Sequence, residues 1–186
     1  MPLHGFFEKW GFECLKALRP NEGAGQKSGK SGANCRTRVV RHINELRQSI
    51  RFVKQRHPFT IHGWVVLPDH MHCLLELPPN DTDYATRWRL IKGRFSGSLP
   101  RTERLNEVRQ RRGERGIWQR RYWEHLIRDE ADFRAHMDYI HINPVKHGYV
   151  TQVQDWPYST FRRLVAEGVY SQDWGGGLED RVLTPD

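Results

Sequence analysis

The chain has 186 residues, a length typical of a single domain, with 37% hydrophobic residues, 28% charged residues and a formal net charge of +8. No stretch reaches the apolar length of a membrane span, and residues 1–20 lack the uninterrupted apolar core of a secretion signal. We therefore expect a cytoplasmic protein. Three cysteines without metal-ligand spacing predict free thiols.

Positive charge is concentrated in two blocks of the chain. Residues 1–57 and residues 87–121 each contain twelve lysine and arginine residues, whereas residues 58–86 contain none. Basic blocks of this kind are typical of proteins that bind a polyanion. The distribution favours a nucleic-acid partner, although a merely solvated basic surface would look the same, and charge alone does not separate DNA from RNA.

The first half of the chain predicts one helix and two strands. Residues 1–35 show no clear hydrophobic period. Apolar residues then recur at helical spacing over 37–56, with arginines between them. Residues 59–67 and 70–77 are rich in β-branched, aromatic and other apolar residues and predict two strands joined by a short turn.

The second half predicts a helix over 83–96, an arginine-rich insertion over 98–116 and a strand over 118–128. A further helix begins at the acidic residues from Asp129, which suit a helix N-terminus, and runs to about residue 141. Asn143-Pro144 marks its end or a kink. The candidate phosphate contacts on the 83–96 helix are Arg87, Arg89, Lys92 and Arg94.

This order of elements predicts an α+β fold with an antiparallel sheet. A ferredoxin-like βαββαβ arrangement needs one more strand before the first helix, and residues 1–35 show no convincing one. We predict an atypical, flexible segment over 1–35, a folded domain over 36–165 that includes the basic insertion, and a C-terminal tail over 166–186.

Two histidines in the second predicted strand suggest a metal site. His70 and His72 are two residues apart, so on a strand both imidazoles face the same side. A pair of histidines alone is more often ordinary surface or core histidine than a ligand pair, because a metal site needs further ligands.

The helix near residue 140 offers a third ligand and a nucleophile. Tyr139 and Asn143 are four residues apart and share a helical face. An asparagine oxygen with two imidazoles suits Mg²⁺ or Mn²⁺, with imidazole favouring Mn²⁺. Such an ion polarises a phosphodiester, which the Tyr139 phenol can then attack. Taken alone, Tyr139 is more simply a partly buried helix tyrosine, and Asn143 a residue before proline.

Four segments in order carry a family resemblance: WVVLPDHMH at 64–72, WQRRYWEHLIR at 118–128, DYIHINPVKHG at 138–148 and DWPYSTF at 155–161. Together they closely resemble the REP-associated tyrosine transposases, which belong to the single-tyrosine HUH transposases. The resemblance extends over roughly residues 40–175.

The resemblance implies a ferredoxin-like antiparallel sheet with helices on one face, and it makes residues 36–165 the HUH transposase domain. His70, His72 and Asn143 match the ligands of Mg²⁺ or Mn²⁺, and Tyr139 matches the nucleophile. The implied substrate is single-stranded DNA with a REP-type hairpin, cleaved and rejoined through a 5′-phosphotyrosine link during DNA transposition by a monomer or homodimer.

Other residues receive predicted roles as well. We expect Lys146, just after the nucleophile, to contact DNA phosphate, and His125 to be structural. We expect Trp118, Trp123 and Trp156 to be core residues. Residues 1–35 do not match the opening of the family, which leaves the first strand in doubt. A protein that binds hairpin DNA without cutting it is the alternative function.

Overall fold

The computed structural model describes residues 10–16, 38–101, 107–119 and 123–175. Four antiparallel strands form one sheet, with helices on both of its faces. The strands are β1 Trp10–Lys16, β2 Thr60–Val66, β3 His70–Glu76 and β4 Trp123–Leu126. The helices are α1 Arg38–Arg41, α2 Ile43–Arg56, α3 Tyr84–Ser98, α4 Glu107–Arg111, α5 Glu130–Lys146 and α6 Phe161–Ala166, with a 3₁₀ turn at Val153–Asp155.

The order of the strands across the sheet is β2-β3-β1-β4. Strand β3 therefore lies between β1 and β2, the two strands of the first βαβ unit. Strand β1 in turn lies between β3 and β4, the two strands of the second unit. This is the ferredoxin-like arrangement that the sequence resemblance implied. The prediction of an α+β fold with an antiparallel sheet is confirmed.

The sequence left the first strand of the sheet in doubt, and residues Trp10–Lys16 supply it. Strand β1 pairs with β3 from Trp10 opposite Glu76 to Lys16 opposite His70, and on its other side it pairs with β4. A central strand gains backbone hydrogen bonds on both edges, so this pairing can outweigh a weak local pattern. The remaining residues of the predicted flexible segment lie outside the described residues.

Strands β2 and β3 form a hairpin closed by a tight turn at Pro68-Asp69. The amide of Leu67 donates to the carbonyl oxygen of His70 over 2.8 Å. Proline presets the backbone for such a turn. The turn fixes the register in which β3 enters the sheet, and thereby places His70 at the first position of the strand.

Helices α2 and α3 cover one face of the sheet. They bury Leu46, Val53 and Trp88 in a core cluster that also contains Met71 and Cys73 of β3. Helix α2 carries its apolar side chains at helical spacing, as its sequence predicts. These two helices correspond to the helical layer that the resemblance implied.

Helix α5 covers the opposite face, which the prediction of a single helical layer did not include. Met137 and Ile140 of α5 pack with Val65, Leu67 and Leu74 in a second cluster. Because side chains alternate along a strand, the residues of β3 on this side are those that alternate with Met71 and Cys73. His70 and His72 therefore lie under α5.

A glycine allows α5 to approach the sheet closely. A Cβ added at Gly63 of β2 would lie 2.7 Å from the sulfur of Met137 and 3.1 Å from Cδ1 of Ile140. Both distances are shorter than ordinary van der Waals contacts, so a larger residue would have to displace the ends of these two side chains. Gly63 thus lets Met137 and Ile140 of α5 pack directly against β2.

Helix α5 does not end at Asn143-Pro144 but continues through the proline to Lys146. The amide of His147 donates to the carbonyl oxygen of Asn143, and the amide of Tyr149 donates to that of Pro144. Pro144 lies close to the helix C-terminus, so it removes one backbone donor without interrupting the final turn. Tyr139, Asn143 and Lys146 consequently lie on one continuous helix.

Residues 156–160 run along the outer edge of β2. Ser159 forms an isolated antiparallel bridge with Val65, and the amide of Val66 donates to the carbonyl oxygen of Tyr158 over 2.8 Å. Covering an edge strand in this way removes unpaired backbone groups. No helix in the described part of the chain is long and apolar enough to cross a membrane.

Candidate functional site

The histidine pair lies at the start of β3, beneath α5. His70 and His72 are 8% and 2% exposed, and their ring centroids are 4.9 Å apart with the rings nearly perpendicular. The period of the strand places both imidazoles on one face. Two nitrogen ligands can therefore point toward a common position from a rigid central strand.

Asp69 orients the first of these histidines. Nδ1 of His70 lies 2.7 Å from Oδ1 of Asp69. When Nδ1 carries the proton and donates to this carboxylate, Nε2 is the ring nitrogen that keeps a lone pair for a metal. A carboxylate behind a histidine is the usual way of fixing a ligand's tautomer and orientation.

Helix α5 brings the tyrosine and the asparagine to the same place. The ring of Tyr139 meets the ring of His72 edge to face, with centroids 5.2 Å apart and an interplanar angle of 80°. Asn143, one turn further along, is fully buried. The four residues that the sequence predicted for the metal and the nucleophile are thus contributed by two adjacent elements.

Only the NH₂ group of the Asn143 side-chain amide has a hydrogen-bond partner among the described residues. Its Nδ2 donates to the backbone oxygen of Tyr139 over 2.6 Å. Its Oδ1 is buried and accepts no hydrogen bond from any described residue. A buried oxygen without a donor is costly. This oxygen is suited to a positively charged partner.

Two cationic or ionisable side chains lie at the end of α5 beside these groups. The Nζ of Lys146 is 5.1 Å from the centroid of the Tyr139 ring. The ring of His147 is 5.1 Å from that of His70. Both side chains are exposed, so a bound anion at the histidine pair would meet positive charge from the solvent side.

A second group of polar side chains joins β4 to the beginning of α5. Nε2 of His125 lies 2.8 Å from Oδ2 of Asp132, and Nδ1 of His136 lies 3.0 Å from Oδ1 of the same carboxylate. One donor atom from each residue lies within 4.8 Å of the others, so among the described residues this group could hold a metal ion.

Burial and hydrogen bonding set the charge states of this group. Burial opposes ionisation of Asp132, but hydrogen bonds from His125 and from the Arg128 amide outweigh it and lower the pKa of the carboxyl. Burial lowers the pKa of His136, against a smaller raising effect of its hydrogen bond to the Asp132 backbone.

The predicted structural role of His125 fits its bond to Asp132. The sequence reasoning missed Asp132 and His136, for which helical spacing was the available signal.

The prediction that Arg87 contacts DNA is wrong, because Arg87 is buried at 2% exposure. Its guanidinium forms an ion pair with Asp81 at 2.5 Å and donates to the backbone oxygens of Pro58 and Asp83. These bonds tie α3 to the loops that precede β2 and α3. A side chain enclosed in this way cannot reach a phosphate.

The other basic residues of α3 lie on the face of the sheet away from the histidine pair. Arg89 and Arg94 are exposed and Lys92 is half-buried. The guanidinium of Arg94 lies 3.6 Å above the centroid of the Phe52 ring of α2. The structure therefore does not bring these side chains together with Tyr139, in contrast to Lys146.

The family model described as "Transposase IS200 like" matches residues 33–143, more than half of the chain, and the match includes both histidines, Tyr139 and Asn143. The chain belongs to the IS200-like transposase family.

Its relatives within this class are REP-associated tyrosine transposases. One, from Escherichia coli K12, is 50% identical over 135 residues, which cover 73% of this chain and 74% of that protein. Another, from Haemophilus influenzae and provisionally given the same name, is 50% identical over 142 residues, covering 76% of this chain and 81% of the relative. The chain is accordingly a tyrosine transposase, as the sequence resemblance predicted.

A solved structure supports the same assignment. It is the structure of a REP-associated tyrosine transposase bound to a REP hairpin, and it matches with a TM-score of 0.70 at 39% sequence identity. The match covers 97% of this chain and 93% of that chain. The match therefore extends over nearly the whole of this chain.

Proposed function

We propose that this transposase cleaves and rejoins single-stranded hairpin DNA through a covalent link to Tyr139, with the help of a divalent metal held by His70, His72 and Asn143. The observation that carries the proposal is the contact between the Tyr139 and His72 rings, 5.2 Å apart, beside the buried Oδ1 of Asn143. The proposed nucleophile therefore lies next to the proposed metal ligands.

The donor set fits Mn²⁺ or Mg²⁺. Two imidazole nitrogens and one amide oxygen are ligands that Mn²⁺ accepts, and Mg²⁺ tolerates them less readily because it prefers oxygen. The unsatisfied Oδ1 of Asn143 and the Asp69 carboxylate behind His70 are both expected of a ligand set. When bound, the ion would polarise the phosphodiester and stabilise the departing oxygen.

Tyr139 would act as the nucleophile. Its phenol loses a proton, its oxygen bonds to phosphorus, and the 3′-oxygen of the DNA leaves and takes up a proton as a free hydroxyl. The Lys146 ammonium, 5.1 Å from the ring centroid, stabilises negative charge as it develops on the phenol oxygen. Attack by a 3′-hydroxyl on the phosphotyrosine reverses the step and rejoins DNA without ATP.

The proposed substrate follows from the solved relative, which is bound to a REP hairpin. Lys146 lies where it can contact the phosphate that Tyr139 attacks. Arg89, Lys92 and Arg94, on the other face of the sheet, would contact the hairpin away from the scissile bond. Phosphate contacts of this kind strengthen binding without reading the sequence.

The test is the formation of a covalent adduct. A labelled single-stranded oligonucleotide that contains a hairpin is incubated with the protein and Mn²⁺, and the products are separated on a denaturing gel. We expect a DNA–protein adduct with the native chain and none with Tyr139→Phe. The Phe variant should still bind the hairpin, because it loses only a hydroxyl group.

Tyr149→Phe is the matched control. Tyr149 is an exposed tyrosine just beyond the end of α5, and its ring stacks on Trp156 with centroids 5.4 Å apart. The adduct should survive this substitution. Hairpin binding by the native chain with no adduct would contradict catalysis and favour the binding-only alternative, and an adduct that persists in Tyr139→Phe would show that another residue is the nucleophile.

A further inference from the structure

Trp123 of β4 is an exposed tryptophan on the face of the sheet that carries the histidine pair. It is 44% exposed, which contradicts the expectation that it is a core residue. Few large apolar side chains are that exposed in the described part of the chain, and Trp123 has the widest aromatic surface among them. Its position in the sheet and the orientation of its ring both suit the binding of a flat aromatic ligand.

The register of the sheet relates Trp123 to the site. Cys14 of β1 pairs with His72 on one side and with Trp123 on the other. Residues in one cross-strand row point to the same face, so Trp123 and His72 both lie on the face covered by α5. The backbones of His72 and Trp123 are two strand spacings apart, which is about 10 Å. A stacked DNA strand covers this distance in roughly three nucleotides at ~3.4 Å each, and an extended strand covers it in fewer nucleotides.

The indole ring is held in a defined plane. Its ring and that of His125 are within 3° of parallel, with centroids 5.8 Å apart. The His125 ring in turn stacks on that of His136 at 4.6 Å, and Asp132 holds both imidazoles. A ligand that stacks on Trp123 would therefore meet a surface whose orientation is already fixed, which reduces the entropy lost on binding.

We propose that Trp123 is a stacking platform for an unpaired base of the DNA strand, close to the phosphodiester that Tyr139 attacks. Single-stranded nucleic acids are commonly held by bases that stack on aromatic side chains. A site that joins DNA ends must hold the strand next to the reacting phosphate, and Trp123 lies in the same row as His72. This inference rests on the proposed function, since it assumes single-stranded DNA at the site.

The test uses a fluorescent base. Hairpin oligonucleotides with a single-stranded flank carry 2-aminopurine at one flank position at a time, and the emission is recorded as protein is added. We expect quenching at one position with the native chain. Quenching at that position should disappear in Trp123→Ala and persist in part in Trp123→Phe, which retains a smaller aromatic face.

Leu126→Ala provides the matched control, because Leu126 is also on β4, is 59% exposed, and faces the opposite side of the sheet by alternation. The Leu126→Ala variant should quench the 2-aminopurine emission as strongly as the native chain does. Loss of the stacked base should weaken binding of the flanked hairpin about tenfold in Trp123→Ala. Binding of a hairpin without the flank should not change.

Three results would overturn the inference: no quenching at any flank position with native protein that binds the hairpin, equal quenching by Trp123→Ala, or an equal loss of affinity for flanked and flankless hairpins. The last would indicate a structural role or a protein-binding surface. Adduct formation by the native chain is measured in the same samples. A native chain that quenches but forms no adduct refutes the proposed catalysis alone, and one that forms the adduct without quenching refutes the stacking role alone.

Discussion

His141 should make the stability of this protein fall as the solution becomes acidic. The His141 side chain, on α5, is fully buried. Its Nδ1 donates to the Met137 carbonyl oxygen over 2.7 Å, and its Nε2 lies 3.0 Å from the Thr160 hydroxyl. This pattern suits a neutral imidazole. Burial lowers the pKa of His141 from 6.5 to about 4, despite the opposing hydrogen bond to Met137.

The sign of the effect follows from proton uptake. Below pH 6.5 the unfolded chain binds a proton at His141, whereas the folded chain does so only near pH 4. The contribution of His141 to stability is therefore complete above pH 6.5 and is lost as the pH falls toward 4, at about 1.4 kcal/mol per pH unit. Between pH 7.5 and 4.5 the total loss is about 2 to 3 kcal/mol.

Urea unfolding followed by tryptophan fluorescence measures this loss. The native chain and His141→Gln are compared at several pH values with a chelator present, so that metal binding does not contribute. Other titrating groups are common to both proteins, and the difference in the slope of the unfolding free energy against pH isolates His141. Parallel pH profiles for the two proteins would refute the reasoning.

Three further predictions concern the site and α3. Arg87→Met should lower the free energy of unfolding by about 2 kcal/mol, because the backbone oxygens of Pro58 and Asp83 lose their donor. Unchanged stability in urea together with weakened hairpin binding would instead support a DNA-contacting role for Arg87. Asp69→Asn should weaken Mn²⁺ binding in calorimetry by about 10- to 100-fold, as loss of a ligand-orienting carboxylate usually does. Asp138→Asn, whose carboxylate accepts from the Tyr170 hydroxyl, is its control and should bind Mn²⁺ normally. Lys146→Gln should slow adduct formation on a denaturing gel and Lys146→Arg should restore it in part, whereas equal rates for both would contradict charge stabilisation of Tyr139.

Local periodicity was sufficient to predict several parts of the fold and of the candidate site. The two-residue spacing of His70 and His72 placed both rings on one face of β3, and the four-residue spacing of Tyr139 and Asn143 placed them on one side of α5. These relations depend only on the repeat of a strand or a helix. They hold regardless of which other elements surround them.

Other features depended on contacts between distant parts of the chain. Strand β1 has little local pattern, and it is recognised as a strand through pairing on both edges with β3 and β4. Arg87 and Arg89 are both arginines of α3, and nothing in the local sequence distinguishes their roles. In the structure, Arg87 is buried, forms an ion pair with Asp81 and donates to the Pro58 carbonyl oxygen, whereas Arg89 is exposed. Burial of a basic residue cannot be read from its own helix, because it depends on the element that packs against it.

The sequence by itself determined which side chains share a face: the histidine pair on its strand, and the tyrosine, asparagine and apolar residues on their helices. Only the tertiary structure decided that α5 crosses the sheet above His72, that Asp132 joins His125 to His136, and that Trp123 is left exposed in the same row. The physical reason is that a repeat specifies directions within one element, whereas distances between elements come from strand pairing and close packing over the whole domain.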